Sequence, residues 1–216
     1  MIRNIVFGGC SYTWGQSLHH FEDGDAPPSI EEAGEVFHRD SLKYWEYQYN
    51  VNNRYPTFVA DYFCRKPIVH TENGGTTYSI CKHIKESING LTDLVFVQTT
   101  SFIRNVIDAQ KISIEKQIQM YEDLVELCSK KNIPIIFIHW DWPSDYKMPE
   151  SIRSRTIKIG DEYTFYHWTE NERYRINEAD SHLNRKAHKK LSTKIIQYLS
   201  HYNILKKYTY QTKQKI

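Results

Sequence analysis

Apolar residues fall along this chain in two rhythms. Ile5-Val6-Phe7, Ile68-Val69, Leu94-Val95-Phe96-Val97 and Ile135-Ile136-Phe137-Ile138 are short unbroken runs rich in β-branched and aromatic residues. Runs of that kind are strands covered on both faces. Between them apolar positions recur at steps of three and four, as in Ile114, Ile118, Tyr121, Leu124, Val125 and Cys128, and again in Ala187, Leu191, Ile195 and Leu199. These stripes predict amphipathic helices over Ile114 to Lys131 and Asn184 to Leu199. Two shorter helices are predicted, Pro56 to Phe63 with proline in its first turn and Thr77 to Ile88 after the turn Asn73-Gly74-Gly75-Thr76. A weaker fifth strand is expected at Thr156 to Ile159.

Strands alternating with helices need crossover connections, and crossovers make a parallel sheet with helices on both sides. The expected fold class is therefore α/β, a three-layer α/β/α sandwich on a mostly parallel, flavodoxin-like sheet of about five strands. One domain over residues 1–205 accounts for the pattern. From Gln16 to Arg54 no period is sustained and Gly24, Pro27, Pro28 and Gly34 interrupt the chain, which predicts an insertion without regular structure. Its second half, Tyr44-Trp45-Glu46-Tyr47-Gln48-Tyr49, is aromatic and suited to packing the insertion onto the body or to stacking on a flat ligand. Residues 206–216 carry Lys206, Lys207, Lys213 and Lys215 without an acid, and read as a solvated, flexible tail.

Composition narrows the function classes. With 28 Lys and Arg against 26 Asp and Glu in 216 residues, the net charge of +2 is too balanced for a nucleic-acid partner. Cys10, Cys64, Cys81 and Cys128 lack C-x-x-C spacing, so neither a zinc knuckle nor a redox pair is expected, and no metal or cofactor is called for. Three apolar residues before Gly8-Gly9 fall far short of a secretory core, and no run reaches the roughly 20 apolar residues of a membrane span. The expected setting is cytoplasmic, or a virion, with no membrane partner.

Candidate chemistry gathers where strands end. Gly8-Gly9 closes the first strand and Ser11 follows at once; the carboxyl ends of strands in open α/β sheets are where ligands bind. Gly74 lies between the second strand and a helix N-terminus, whose free N–H groups suit an oxyanion. Gln98, Thr99 and Thr100 end the third strand. Asp180-Ser181-His182 precedes the last helix and offers a base with a carboxylate to orient it, which a serine needs to become a nucleophile. Order along the chain is no obstacle, because a triad is defined by geometry. Arg104 could meet an anionic group, Trp140, Trp142 and Pro143 could wall a pocket, and His188 reads as exposed or packed within its helix.

Gly9-Cys10-Ser11-Tyr12-Thr13-Trp14-Gly15 resembles the first block of the SGNH (GDSL-like) hydrolases, Gly74-Gly75-Thr76-Thr77 their second, and Asp180-Ser181-His182 their last. The order and spacing of these blocks cover almost the whole chain. The resemblance implies Ser11 as nucleophile, His182 as base, Asp180 as its partner, and an oxyanion hole from Ser11 and Gly74 N–H groups with Gln98, Thr99 or Thr100. Trp14, Thr77, Arg104 and Trp140 would line the substrate. The pattern departs from the family at Cys10, where Asp is usual, and at the third block, whose Asn is missing. The implied activity is hydrolysis of an acyl, chiefly acetyl, ester of a carbohydrate or other small molecule. Two other readings are a glycan O-acyltransferase and a catalytically impaired binding module of a phage particle or surface-glycan system.

Overall fold

In the computed structural model, which describes residues 2–10, 13, 44–71, 75–102, 112–159, 163–165, 173–174, 176 and 182–207, the four apolar runs are strands of one parallel sheet. They are β1 (Asn4–Gly9), β2 (Lys66–Thr71), β3 (Thr92–Thr99) and β4 (Ile135–His139). Spatial order is β2-β1-β3-β4. Among the described residues six helices accompany them, α1 (Tyr44–Asn53), α2 (Tyr55–Tyr62), α3 (Thr77–Ser87), α4 (Ile114–Lys130), α5 (Glu150–Arg153) and α6 (Arg185–His201).

The strand order dictates where the helices lie. The chain steps from β1 to β2 in one direction and returns past β1 to β3 in the other, so right-handed crossovers must place α2 and α3 on opposite faces. The two cores agree. Ile5, Phe7, Leu94, Phe96, Ile136 and Ile138 pack with α2 and α6, whereas Val6, Val95, Val97, Ile135 and Phe137 pack with α3, α4 and α5. Alternate residues of each strand thus supply alternate cores, as a period of two requires, and the three-layer architecture follows.

Two elements differ from expectation. The segment from Thr156 forms no fifth strand: it meets β4 only through isolated parallel bridges at Phe137–Thr156 and His139–Thr164. The turn Ser154–Arg155 keeps the segment too short of ladder bonds, with Phe137 N donating to Arg155 O and Ile157 N to Phe137 O. The end of the expected insertion is helical, since α1 occupies Tyr44–Asn53. Its aromatic run masks a helix by lacking a clear apolar stripe. Residues 16–43 and the tail beyond 207 lie outside the described residues.

At the amino ends of the strands, Asp93 ties two arginines together. It accepts from the side chain of Arg3 and from Arg65 Nε at 2.6 Å, and Arg65 also donates to Phe63 O at 2.7 Å. All four cysteines are free thiols; burial pushes Cys128 up to about 11 and Cys81 to about 12. Among the described residues no helix is long and apolar enough to cross a membrane.

Candidate active site

The chain reverses its direction of travel across the sheet at β1, which opens a crevice between the carboxyl ends of β1 and β3, the switch point where α/β sheets bind ligands. Gly9 and Cys10 end β1 there, and Gln98 stands opposite on β3. Gln98 is fully buried, and both ends of its amide are engaged. Its Nε2 donates to Cys10 Sγ at 3.1 Å, and its Oε1 accepts from Thr13 Oγ1 at 2.6 Å. Thr13 N also donates to Cys10 O at 2.9 Å, a bond that spans Ser11 and Tyr12.

Proton counting extends the network. Thr13 has one hydroxyl proton and gives it to Gln98, so at the 3.0 Å contact with Tyr55 the phenol is the donor. Tyr55 is completely buried, and burial drives its pKa far upward, which keeps that proton in place. Its backbone N–H donates to His188 Nδ1 at 3.2 Å, and its ring stacks on the imidazole at 5.9 Å and 15°. His188 must therefore be neutral with Nδ1 bare; burial, with Arg54 and His182 nearby, lowers its pKa to about 3. Gly9 is required by this closeness. A side-chain carbon there would lie 1.9 Å from Thr13 Oγ1 and 3.1 Å from Gln98 Cβ.

His182 stands half-buried just ahead of α6. Its carbonyl accepts from Ile176 N at 2.8 Å, and Asn184 N donates to Tyr174 O at 2.8 Å, so the backbone around it is laced to a neighbouring segment. Asn184 is the N-cap of α6: its Oδ1 accepts from Ala187 N at 3.0 Å while its Nδ2 donates to Arg173 O at 2.9 Å. A short polar residue ahead of an apolar stripe is how such a cap reads in sequence.

The remaining strand-end groups differ in what they have left to offer. Thr156 gives its proton to Ile152 O at 2.9 Å, so His139 Nε2–H donates to Thr156 at 3.0 Å. Burial lowers the pKa of His139 to about 3, and its bare Nδ1 takes the proton of Thr99 at 3.1 Å. The hydroxyl proton of Thr99 is thereby used. Thr100 is different: its Oγ1 is buried and has no hydrogen-bond partner among the described residues. It lies one residue past the end of β3 and two past Gln98.

The oxyanion candidates around α3 divide likewise. Thr76 caps α3 with a reciprocal pair, Ser79 N to Thr76 Oγ1 at 3.2 Å and Thr76 N to Ser79 Oγ at 3.0 Å. Thr77 is fully buried; it donates to Gln117 Oε1 at 3.0 Å and accepts from Tyr121 Oη at 3.3 Å, bracing α3 against α4. Trp140 is half-buried and packs against the core shared with α6. Beside these strand ends a cavity of about 410 Å³ is walled by Ser101, Phe102, Asp141, Trp142, Pro143 and Tyr146, among others. Trp142 is held there by Nε1 donating to Tyr146 O at 2.8 Å and by edge contacts with Phe102 and His139.

The structure thus brings Cys10, Gln98 and, through Tyr55 and His188, the segment leading from His182 into α6 together at the carboxyl ends of β1 and β3, where Thr100 also stands. Ser11, Trp14, Gly74, Arg104 and Asp180 lie outside the described residues. Thr13, Tyr55 and His188 were not among the expected site residues. Of the two readings for His188, exposed or helix-packing, the second holds: it is buried against Tyr55, and its spacing with Leu191 and Ile195 puts it on the apolar stripe of α6.

No family model matches the chain, and no curated protein matches it. Solved structures do. A carbohydrate esterase of family two from Clostridium thermocellum, described in complex with cellohexaose, superposes with a TM-score of 0.57 over 94% of this chain and 65% of its own, at 11% identity. An alpha/beta hydrolase from the metagenome of Lake Arreo, Spain, gives 0.51 over 94% and 96%, at 11% identity. A protein from Desulfitobacterium hafniense DCB-2, described as lipolytic and of the G-D-S-L family, gives 0.50 over 90% and 98%, at 10% identity. The chain has an SGNH-like (GDSL-like) hydrolase fold.

Proposed function

We propose that the protein is a serine ester hydrolase, with Ser11 as nucleophile, His182 as general base and Asp180 as the carboxylate that orients the imidazole. The observation that carries this reading is the unbroken path from Cys10 and Thr13, the residues flanking Ser11-Tyr12, through Gln98 and Tyr55 to His188, on the first turn of the helix that follows His182. It makes one unit of the two regions that a nucleophile and its base would have to come from.

In the proposed reaction His182 takes the hydroxyl proton as Ser11 Oγ bonds to the acyl carbon. The tetrahedral oxyanion is met by the N–H groups of Ser11 and Gly74. Thr100 is the side-chain donor in this scheme, because its hydroxyl is buried without a partner among the described residues whereas the proton of Thr99 is taken by His139. The C–O bond to the alcohol then breaks as His182 returns the proton to the leaving oxygen. Water attacks the acyl-enzyme with the same base, releasing the acid and restoring Ser11.

The substrate class proposed is an acylated, chiefly acetylated, carbohydrate or comparable small ester, supported by the cellohexaose named with the Clostridium thermocellum structure. The cavity beside Trp142 and Tyr146 is the place proposed for the sugar, where an aromatic wall offers a surface to its C–H face and Asp141 an acceptor to its hydroxyls. The test is p-nitrophenyl acetate turnover by the wild type and by Ser11→Ala. Loss of turnover to the uncatalysed rate, with the melting temperature unmoved, is expected; retained turnover in Ser11→Ala would overturn the scheme.

A further inference from the structure

We infer that Gln98 and Thr13 form a staple, locked by Tyr55, whose task is to hold the backbone around the nucleophile, so that Gln98 is a positioning residue and not an oxyanion donor. The inference rests on Ser11 being the nucleophile; the staple itself rests on geometry alone.

One amide bridges two residues three apart in the chain. Gln98 Nε2 reaches Cys10 Sγ at 3.1 Å and Gln98 Oε1 takes the Thr13 hydroxyl at 2.6 Å, while Thr13 N closes on Cys10 O at 2.9 Å. Residues 11 and 12 are therefore spanned by a main-chain bond and by a side-chain clamp. The clamp is anchored in the rigid part of the sheet, since Gln98 pairs with Ile138 of β4 in register and is fully buried. It is also one-directional. Tyr55 donates to Thr13, Thr13 to Gln98, and the Tyr55 N–H fixes His188 on α6, so the hydroxyl of Thr13 has no second orientation that satisfies every partner.

Two further features fit a clamp. Gly9 has no room for a side chain because Thr13 and Gln98 close over it. Cys10 stands where a carboxylate would be the usual residue of the resembled motif, and its thiol accepts from a neutral amide; an ionised group at that buried spot would need a stronger donor than Gln98. A thiol at position 10 and an amide at position 98 are thus matched to each other. Rigid placement of a reacting group within a fraction of an ångström is worth one to two orders of magnitude in rate, and its loss falls on kcat.

The experiment compares Thr13→Val, Thr13→Ser and Tyr55→Phe with the wild type by two readouts. Hydrogen exchange reports the staple without reference to activity. Thr13→Val should speed exchange of the amide at position 13 by about tenfold or more, with the amides of α4 and β3 unmoved, and Thr13→Ser should restore protection. Tyr55→Phe, which keeps the ring and removes only the phenol proton, should give a smaller change in the same direction. Ester turnover reports positioning: Thr13→Val should lose about 10- to 100-fold in kcat with KM within about twofold, and Thr13→Ser should recover most of it. Unchanged exchange in Thr13→Val overturns the staple whether or not the protein hydrolyses esters. Faster exchange with unchanged kcat overturns its positioning role. If the wild type itself shows no Ser11-dependent turnover, the hydrolase reading fails, and with it the role in catalysis, while the exchange result still decides the staple.

Discussion

At the scale of single residues, the β3 end is settled by following protons. Thr99 and Thr100 are adjacent and chemically identical, yet one is bound to a neutral buried imidazole and the other has no partner among the described residues. A buried hydroxyl without a partner is costly to the fold, by about 1–3 kcal/mol, unless something outside the chain satisfies it. In the proposed mechanism the oxyanion does. Thr100→Val, which keeps the shape and removes the hydroxyl, should then lower kcat/KM by about 100-fold or more, the loss typical of one oxyanion donor. The same substitution should leave urea stability unchanged or raise it, since it removes an unsatisfied group. Parallel losses of activity and stability would mean that the hydroxyl serves the fold instead.

At the scale of elements, the strands and long helices were legible because burial on both faces and a stripe at steps of three and four leave little ambiguity. α4 is the clearest instance, found within a residue of its expected bounds, and β3 extends the apolar run Leu94–Val97 by two residues at each end. The misreadings have physical causes. Residues Thr156 to Ile159 are apolar enough to be a strand, but a turn at Ser154–Arg155 lets them meet β4 only as a bridge, and a strand is made by its ladder, not by its composition. α1 escaped notice because its aromatic residues do not sort onto one face. For the candidate site, motif order proposes Ser11, Gly74 and the Asp180–His182 pair, of which only His182 is among the described residues, whereas the polar network around Gln98 was invisible. Gln98, Thr13, Tyr55 and His188 are distant in sequence, and only the sheet order that puts β3 beside β1, and α6 beside α2, makes them neighbours.

At the scale of the whole molecule, two neutral imidazoles sit inside the cores, His139 and His188, both with pKa lowered to about 3 by burial. Unfolded, each would take up a proton near pH 6.5. Between those values the unfolded chain binds more protons than the folded one, so stability falls as pH drops from 6.5 towards 3 and is free of this penalty above 6.5. Each histidine contributes about 1.4 kcal/mol per pH unit in that window, and urea midpoints measured at pH 7 and pH 5 should differ by roughly 3–4 kcal/mol in unfolding free energy. Equal stability at the two values would mean that one or both rings are charged in the folded protein, which the tautomers assigned through Tyr55 and Thr156 forbid.

The central claim is that Ser11 is a nucleophile driven by His182, and it is tested most directly by a fluorophosphonate probe with the adduct located by peptide mass spectrometry. The account predicts one stoichiometric adduct on the peptide carrying Ser11, no labelling in Ser11→Ala, and labelling slowed by about 1,000-fold or more in His182→Ala, as expected when a triad loses its base. An adduct on another residue, or labelling of Ser11 at the same rate without His182, would contradict it.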